Sequence, residues 1–156
     1  MKRTTLIFAA LLLTLSVFGQ KQKPASYNEV LLSQIKGGKT EMLSQLLGVK
    51  IDPATEFGKI YGEFQDKLLA NGEQRFKLIE DYLNHTNNIT PEYAKNLLSQ
   101  FLKTDAERNK IMSKYSKKLG KHLSPQNLLT LMQFENKLRA MVDAELAETI
   151  PFANMN

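Results

Sequence analysis

The chain has 156 residues, a formal charge of +5 and a pI near 9.3. It has no cysteine and no tryptophan. One domain is the natural size expectation. The missing cysteines exclude disulfides, thiol chemistry and a lipid anchor on a cleavage-site Cys.

Residues 1–19 open with Lys2 and Arg3. An apolar run from Leu6 to Leu15 follows, with Val17 and Gly19 at the −3 and −1 positions of a cleavage site. The run is short of the roughly 20 residues that span a bilayer, so a cleavable export signal is expected rather than a membrane anchor. Removing it leaves 19 basic residues against 16 acidic ones, a charge of +3. An exported chain of such low charge is not expected to bind nucleic acid. Stability without disulfides must come from the core or from association.

A polar leader, 20–39, follows. Within it Ser26 and Glu29 have the spacing of a capping box, predicting a short helix to about Ile35, which Gly37-Gly38 ends. The main helical domain is expected over 40–150, with 151–156 a tail. It begins with a second short helix, Thr40–Leu47, stopped by Gly48.

Three similar tripeptides come next: Ile51-Asp52-Pro53, Ile89-Thr90-Pro91 and Leu123-Ser124-Pro125. Each joins an apolar residue, an N-cap residue and a proline at N1, where its missing N–H is harmless. They predict long helices at about 53–85, 91–121 and 125–149. Asn71-Gly72 falls inside the first, and a single interior Gly costs roughly 1 kcal/mol against Ala. A continuous or slightly kinked helix is therefore expected rather than a turn.

Helical periodicity gives each long helix one apolar face. The first carries Phe57, Ile60, Tyr61, Phe64, Leu68, Ile79 and Tyr82. The second carries Leu97, Leu98, Phe101, Met112, Tyr115 and Leu119, and the third Leu128, Leu131, Met132, Leu138, Val142 and Leu146. Opposite the second stripe lie Lys103, Lys110, Lys114, Lys117, Lys118 and Lys121, the pattern of a solvated helix face.

Two charges break the pattern. Arg108 and Glu135 fall near the centres of their apolar faces, nearly equidistant from the break at His122–Ser124. An antiparallel hairpin would bring them level. An inter-helix ion pair that sets register is expected, extended by Arg139 one turn on. The alternative is a ligand or switch site.

No catalytic constellation is present. His85 and His122 are the only histidines and neither has a second ligand at i+3 or i+4, so no metal site is expected. Phosphate loops and nucleophile elbows are missing too. No enzymatic activity and no cofactor are expected.

Ala106–Arg139, with its AER element, long basic helix, HLSPQ break and QFENKLR continuation, resembles the periplasmic Spy/CpxP-like helical proteins. Leu123-Ser124-Pro125-Gln126-Asn127 is similar to that family's LTxxQ motif, with Asn127 where Gln is usual. Ile51-Asp52-Pro53-Ala54-Thr55 and Ile89-Thr90-Pro91-Glu92-Tyr93 echo it more weakly. The resemblance, over about 40–150, is to relatives that carry sensor or stress-protein labels. It implies an all-α fold of long antiparallel helical hairpins, here with short N-terminal helices, often as a homodimer.

It also implies a periplasmic, ATP-independent chaperone or stress-related binding protein. Its partners would be unfolded or partly folded envelope proteins; apart from the resemblance, lysines beside exposed apolar side chains suit weak holding of unfolded chains, which makes Lys110, Lys114, Lys117 and Lys121 the candidate contacts. The alternative is a regulatory partner of a sensor kinase or of a sigma/anti-sigma system. The family's metal-sensing branch uses histidine ligands that are missing here. No stable membrane insertion is expected after signal cleavage.

Overall fold

The computed structural model describes residue 29, residues 38–148 and residues 150–153. The expected signal segment 1–19 lies outside the described residues, as does the capping-box helix at 26–35 apart from Glu29. The fold is all-α: α1 is Lys39–Leu47, α2 Glu56–His85, α3 Pro91–Leu119 and α4 Pro125–Ala147. None of these helices is long and apolar enough to cross a membrane.

Two long helices start as their sequences predict. Thr90 and Ser124 are extended N-caps whose hydroxyls accept from the N–H groups of Tyr93 and Asn127, and Pro91 and Pro125 occupy the first turn. The first start differs. Asp52 does not cap α2; its carboxylate accepts from Ala54 N–H at 2.9 Å, and its carbonyl accepts from Thr55 N–H at 3.0 Å. The chain therefore makes a tight turn at Pro53-Ala54, and Thr55 becomes the cap, accepting from Gly58 N–H at 3.0 Å. Asp and Thr both suit turns and caps, and the local turn wins at Asp52.

The Ala54 N–H and nearby Lys50 hold the Asp52 carboxyl below its ordinary pKa. At the other end of the connection, Gly48 closes α1 in the left-handed region with φ 62°. Val49 N–H bonds the Ser44 carbonyl and Gly48 N–H the Gln45 carbonyl, a Schellman closure.

α2 is one continuous helix through Asn71-Gly72. Asn71 is buried, and its amide donates to the Thr104 carbonyl of α3 at 2.9 Å. A side chain that reads as a breaker is thus an inter-helix tie. Along α2 and α3 the contacting pairs are Glu63 with Lys118, Asn71 with Thr104 and Asp81 with Tyr93, so the two run in opposite directions. Between α2 and α4 the pairs rise together: Gln65 with Glu135, Arg75 with Asp143, and Tyr82 with Pro151 just past α4. α1 lies against the first half of α4.

The core has two parts. The larger joins Leu43, Leu47 and Ile51 to Phe57, Tyr61 and Phe64 of α2, Ile111, Tyr115 and Leu119 of α3, and Leu131, Phe134 and Leu138 of α4. The smaller gathers Phe76, Ile79, Val142 and Leu146, with Phe101 partly covered against them. Leu98 departs from expectation: it is 60% exposed, as is Leu102 at 62%. Leu97 and Thr104 take the inward positions instead, and Leu98 sits at the stripe's edge.

Glycines at α2's start separate two effects. A Cβ on Gly58 would lie 1.9 Å from the Asp52 carbonyl oxygen, whereas one on Gly62 would meet nothing within 4 Å. Gly58→Ala should destabilise by about 2 kcal/mol or more through overpacking. Gly62→Ala should stabilise by about 0.5–1 kcal/mol through helix propensity. Urea melts of the two variants check both signs; equal effects would show that the turn does not press on the helix.

Candidate functional site

Glu135 is the only charged residue among the buried polar ones described, at 3% exposure. Its carboxylate does not pair with Arg108. Lys39, the first residue of α1, donates to Oε2 at 2.7 Å, and Gln65 of α2 donates to Oε1 at 3.0 Å. Arg108 does come level with Glu135, but its Nη2 reaches the Glu135 backbone carbonyl at 3.4 Å and the Asn136 Oδ1 at 3.1 Å. The expected pair is thus redrawn. The shorter α1 lays its lysine across α4 and takes the carboxylate, while the half-buried guanidinium of Arg108 stays at the edge. Nothing in the spacing of two long helices could show a partner arriving from a third.

Arg139 does not extend that pair either. Its Nε donates to Asp143 at 2.7 Å and its Nη2 to Asp105 at 3.2 Å. Arg75 of α2 lies 3.6 Å from Asp105 and 3.4 Å from Asp143, with its guanidinium 5.5 Å from the Phe101 ring centre. Two arginines and two aspartates from α2, α3 and α4 alternate in a closed circuit. Each carboxylate serves two guanidiniums, so the cluster carries no net charge. This is a structural tie, not a ligand site.

Beside Glu135 the Tyr61 hydroxyl is buried with no well-formed hydrogen bond, Thr40 being its one weak polar partner. Burial first, then the nearby Glu135 charge, hold its pKa above the ordinary tyrosine value. Tyr93, which donates to Asp81 at 2.9 Å, is pushed up to about 12 by desolvation and that carboxylate.

The motif residues prove to be connectors. Leu123 and Leu128 pack on the larger core, Ser124 caps α4, Pro125 starts it, and Gln126 is exposed. Asn127 turns its amide onto the carbonyl of Leu47 at 3.2 Å. That carbonyl lies in the last turn of α1, where acceptors lack helical donors. Asn127 thus ties α1 to the start of α4.

The lysine series lies on the solvent face of α3. Lys110, Lys114 and Lys117 line an open depression of about 590 Å³ with Asn109 and Ser113; Lys121 follows, exposed, just past the helix end. Lys110 has Glu107 at 4.0 Å, and Lys118 reaches Glu63 at 3.3 Å. Lys114 and Lys118 stand 5.6 and 5.1 Å from the Tyr115 ring centre. Among the described residues, Lys114, Lys117 and Lys121 have no carboxylate within 4.0 Å. The lysines of the last turn also suit the negative end of the helix dipole.

Neither histidine is placed for metal binding. His85 Nδ1 is 2.7 Å from the Asp81 carbonyl and its ring faces Tyr93, while His122 stands 4.0 Å from Glu56. Among the described residues no three His, Cys, Asp or Glu side chains gather to hold an ion. No family model, curated protein or solved structure matches the chain.

The Tyr61 hydroxyl gives a signed prediction. Its folded pKa is raised, so its contribution to stability is whole below the unfolded value of about 10 and is lost as pH rises toward the folded one. Tyr61→Phe should leave stability at neutral pH unchanged or raise it by up to about 1 kcal/mol, because the lost hydroxyl has only a weak contact with Thr40. It should also lose less stability than the parent above pH about 10. Urea melts at neutral and alkaline pH measure this, and equal alkaline losses would show that Tyr61 ionises freely.

Proposed function

We propose that the chain is a periplasmic, non-enzymatic binding protein that holds partly folded envelope proteins without ATP. The observation that carries this reading is the cationic face of α3, where Lys114, Lys117 and Lys121 have no answering carboxylate. An unanswered row of flexible ammonium groups attracts acidic, extended chains at long range and holds none of them in one geometry. Leu98 and Leu102, exposed at i and i+4 further up the same helix, add apolar contact to that charge. Weak, adaptable contact of this mixed kind suits many clients. The resemblance of the Leu123–Asn127 segment to the LTxxQ motif points the same way and supplies the periplasmic setting.

Aggregation of an acidic denatured client, followed by light scattering without ATP, tests it. The protein should suppress aggregation at a stoichiometric ratio, less so at high salt, where screening shortens the reach of the lysines. Replacing Lys114, Lys117 and Lys121 together by Gln should remove most of the protection. Their exposure keeps the stability cost of each within about 0.5 kcal/mol. No protection at several-fold excess sinks the proposal. Capture of one envelope protein in fixed ratio, with no general protection, would transfer the assignment to a signalling partner.

A further inference from the structure

The positive charge of the chain is gathered in one place. Residues 108–121 hold Arg108, Lys110, Lys114, Lys117, Lys118 and Lys121 and no acid. Taking those six from the +3 expected after signal removal leaves −3, so the rest of the exported chain is acidic. Arg108 reaches across to Asn136, and Lys118 is answered by Glu63. The other four lie on the outer face of α3 or just past its end, and Lys95 and Lys103 are exposed nearer its start. Among the described residues, Lys95 and Lys103, like Lys114, Lys117 and Lys121, have no carboxylate within 4.0 Å.

This face is long, level and without an apolar centre. Lys103, Lys110 and Lys117 recur every seven residues, two turns apart, so they leave the helix on the same side. Ser99, Ala106 and Ser113 repeat at the same interval between them, and all three are exposed. Short side chains there leave the ammonium groups as the outermost atoms. From Lys95 to Lys117 the row covers about 33 Å of helix axis. Around Ser113 it sinks into the depression of about 590 Å³, lined by Lys110, Lys114, Lys117 and Asn109. A depression this open admits a phosphate group that stays attached to a larger surface. From 103 to 121 no large apolar side chain is exposed.

Three classes of acidic partner differ in what they require of such a face. A folded protein buries an apolar centre within a polar rim, and this face has none. Nucleic acids are held by arginine forks and stacked aromatic rings; the outward cations of α3 are lysines, and Tyr115 is buried. A phospholipid surface requires only charge density in one plane, which lysines on flexible stems supply. We infer that the outer face of α3 docks the protein on an anionic phospholipid surface, with lipid phosphates entering the depression between Lys110, Lys114 and Lys117. The docking is peripheral. Its contact is electrostatic, and the acidic remainder of the chain is turned away from the membrane. Lipid and client would compete for the same lysines, but the docking does not rest on the chaperone reading.

Flotation with vesicles tests the inference, using the chain from Gln20 so that the apolar run at 6–15 cannot itself insert. It should float with phosphatidylglycerol vesicles, stay behind with phosphatidylcholine vesicles, and be released at about 0.5 M salt. Each lysine close to an anionic surface contributes about fivefold in affinity, so replacing Lys110, Lys114 and Lys117 together by Gln should weaken binding about 100-fold. Lys59 and Lys77 on α2 and Lys137 on α4 are exposed too, and replacing those three by Gln removes the same charge elsewhere. That control should bind within about threefold of the parent, because charges beyond a Debye length of the membrane are screened. Unchanged thermal melts of both variants show that neither result comes from unfolding.

Absence of flotation with phosphatidylglycerol at low salt overturns the inference. Equal losses in the two triple variants overturn it too, since net charge alone would then explain the binding. Equal flotation with neutral vesicles would mean apolar contact instead. Release by millimolar inorganic phosphate at constant ionic strength would assign the depression to a free anion and overturn the membrane. None of these readouts involves an aggregating client, so they fail or succeed separately from the client-holding proposal.

Discussion

All four helices meet at Glu135. Its carboxylate takes Lys39 from α1 and Gln65 from α2, its own helix is α4, and its backbone carbonyl receives Arg108 from α3. A buried ion pair of this kind contributes little net stability, because desolvation offsets much of the attraction. Its consequence is positional. Sliding any neighbour by one turn strands an anion in the interior, at a cost of several kcal/mol. Leucines and phenylalanines alone would tolerate such slips, since apolar contact is non-directional. The register of the bundle therefore rests on one carboxylate more than on any stretch of core.

The Arg75–Asp105–Arg139–Asp143 circuit answers the same need further along. It lies where the larger core gives way to the smaller one, next to the Asn71–Thr104 bond. Long helices that pack only through apolar stripes can rotate about their axes. A polar tie at each level fixes rotation as well as slide. The aspartates remain partly exposed, at 50% and 35%, while Arg75 Nε and Asp143 Oδ1 face each other at 3.4 Å in the covered part of the circuit.

Helix identity was largely legible in the sequence because its signals are local. Thr90-Pro91 and Ser124-Pro125 start helices through atoms within three residues, and Gly48 ends α1 by its own φ. The first start misled because Asp52 and Thr55 are both good caps. Choosing between them depends on Gly58, which lets the turn fold back onto α2. Periodicity found most of the core but missed Phe76, Leu78, Ile111 and Phe134, which are buried, and admitted Leu98. Inward-facing width depends on how many neighbours a helix has, and that is a tertiary quantity. Arg108 and Glu135 were correctly singled out as charges brought level, yet the carboxylate's partner comes from a helix nearly a hundred residues away.

The distribution of stability across the fold follows from who shares which contacts. α2 and α3 hold each other along their length, and the arginine–aspartate circuit adds α4 to them. α1 shares the Glu135 and Asn127 ties, buries Leu43 and Leu47, packs Met42 on the same core, and its backbone runs close to α4 at more points than that of α3. Glu135 thus stands where α1 and α2 both meet α4. The carboxylate favours the docking of α1 through its cation, and removing that cation leaves the anion without its partner. An apolar residue at 135 would hold α1 indiscriminately. The buried charge instead makes the attachment selective for what carries a lysine at the right place.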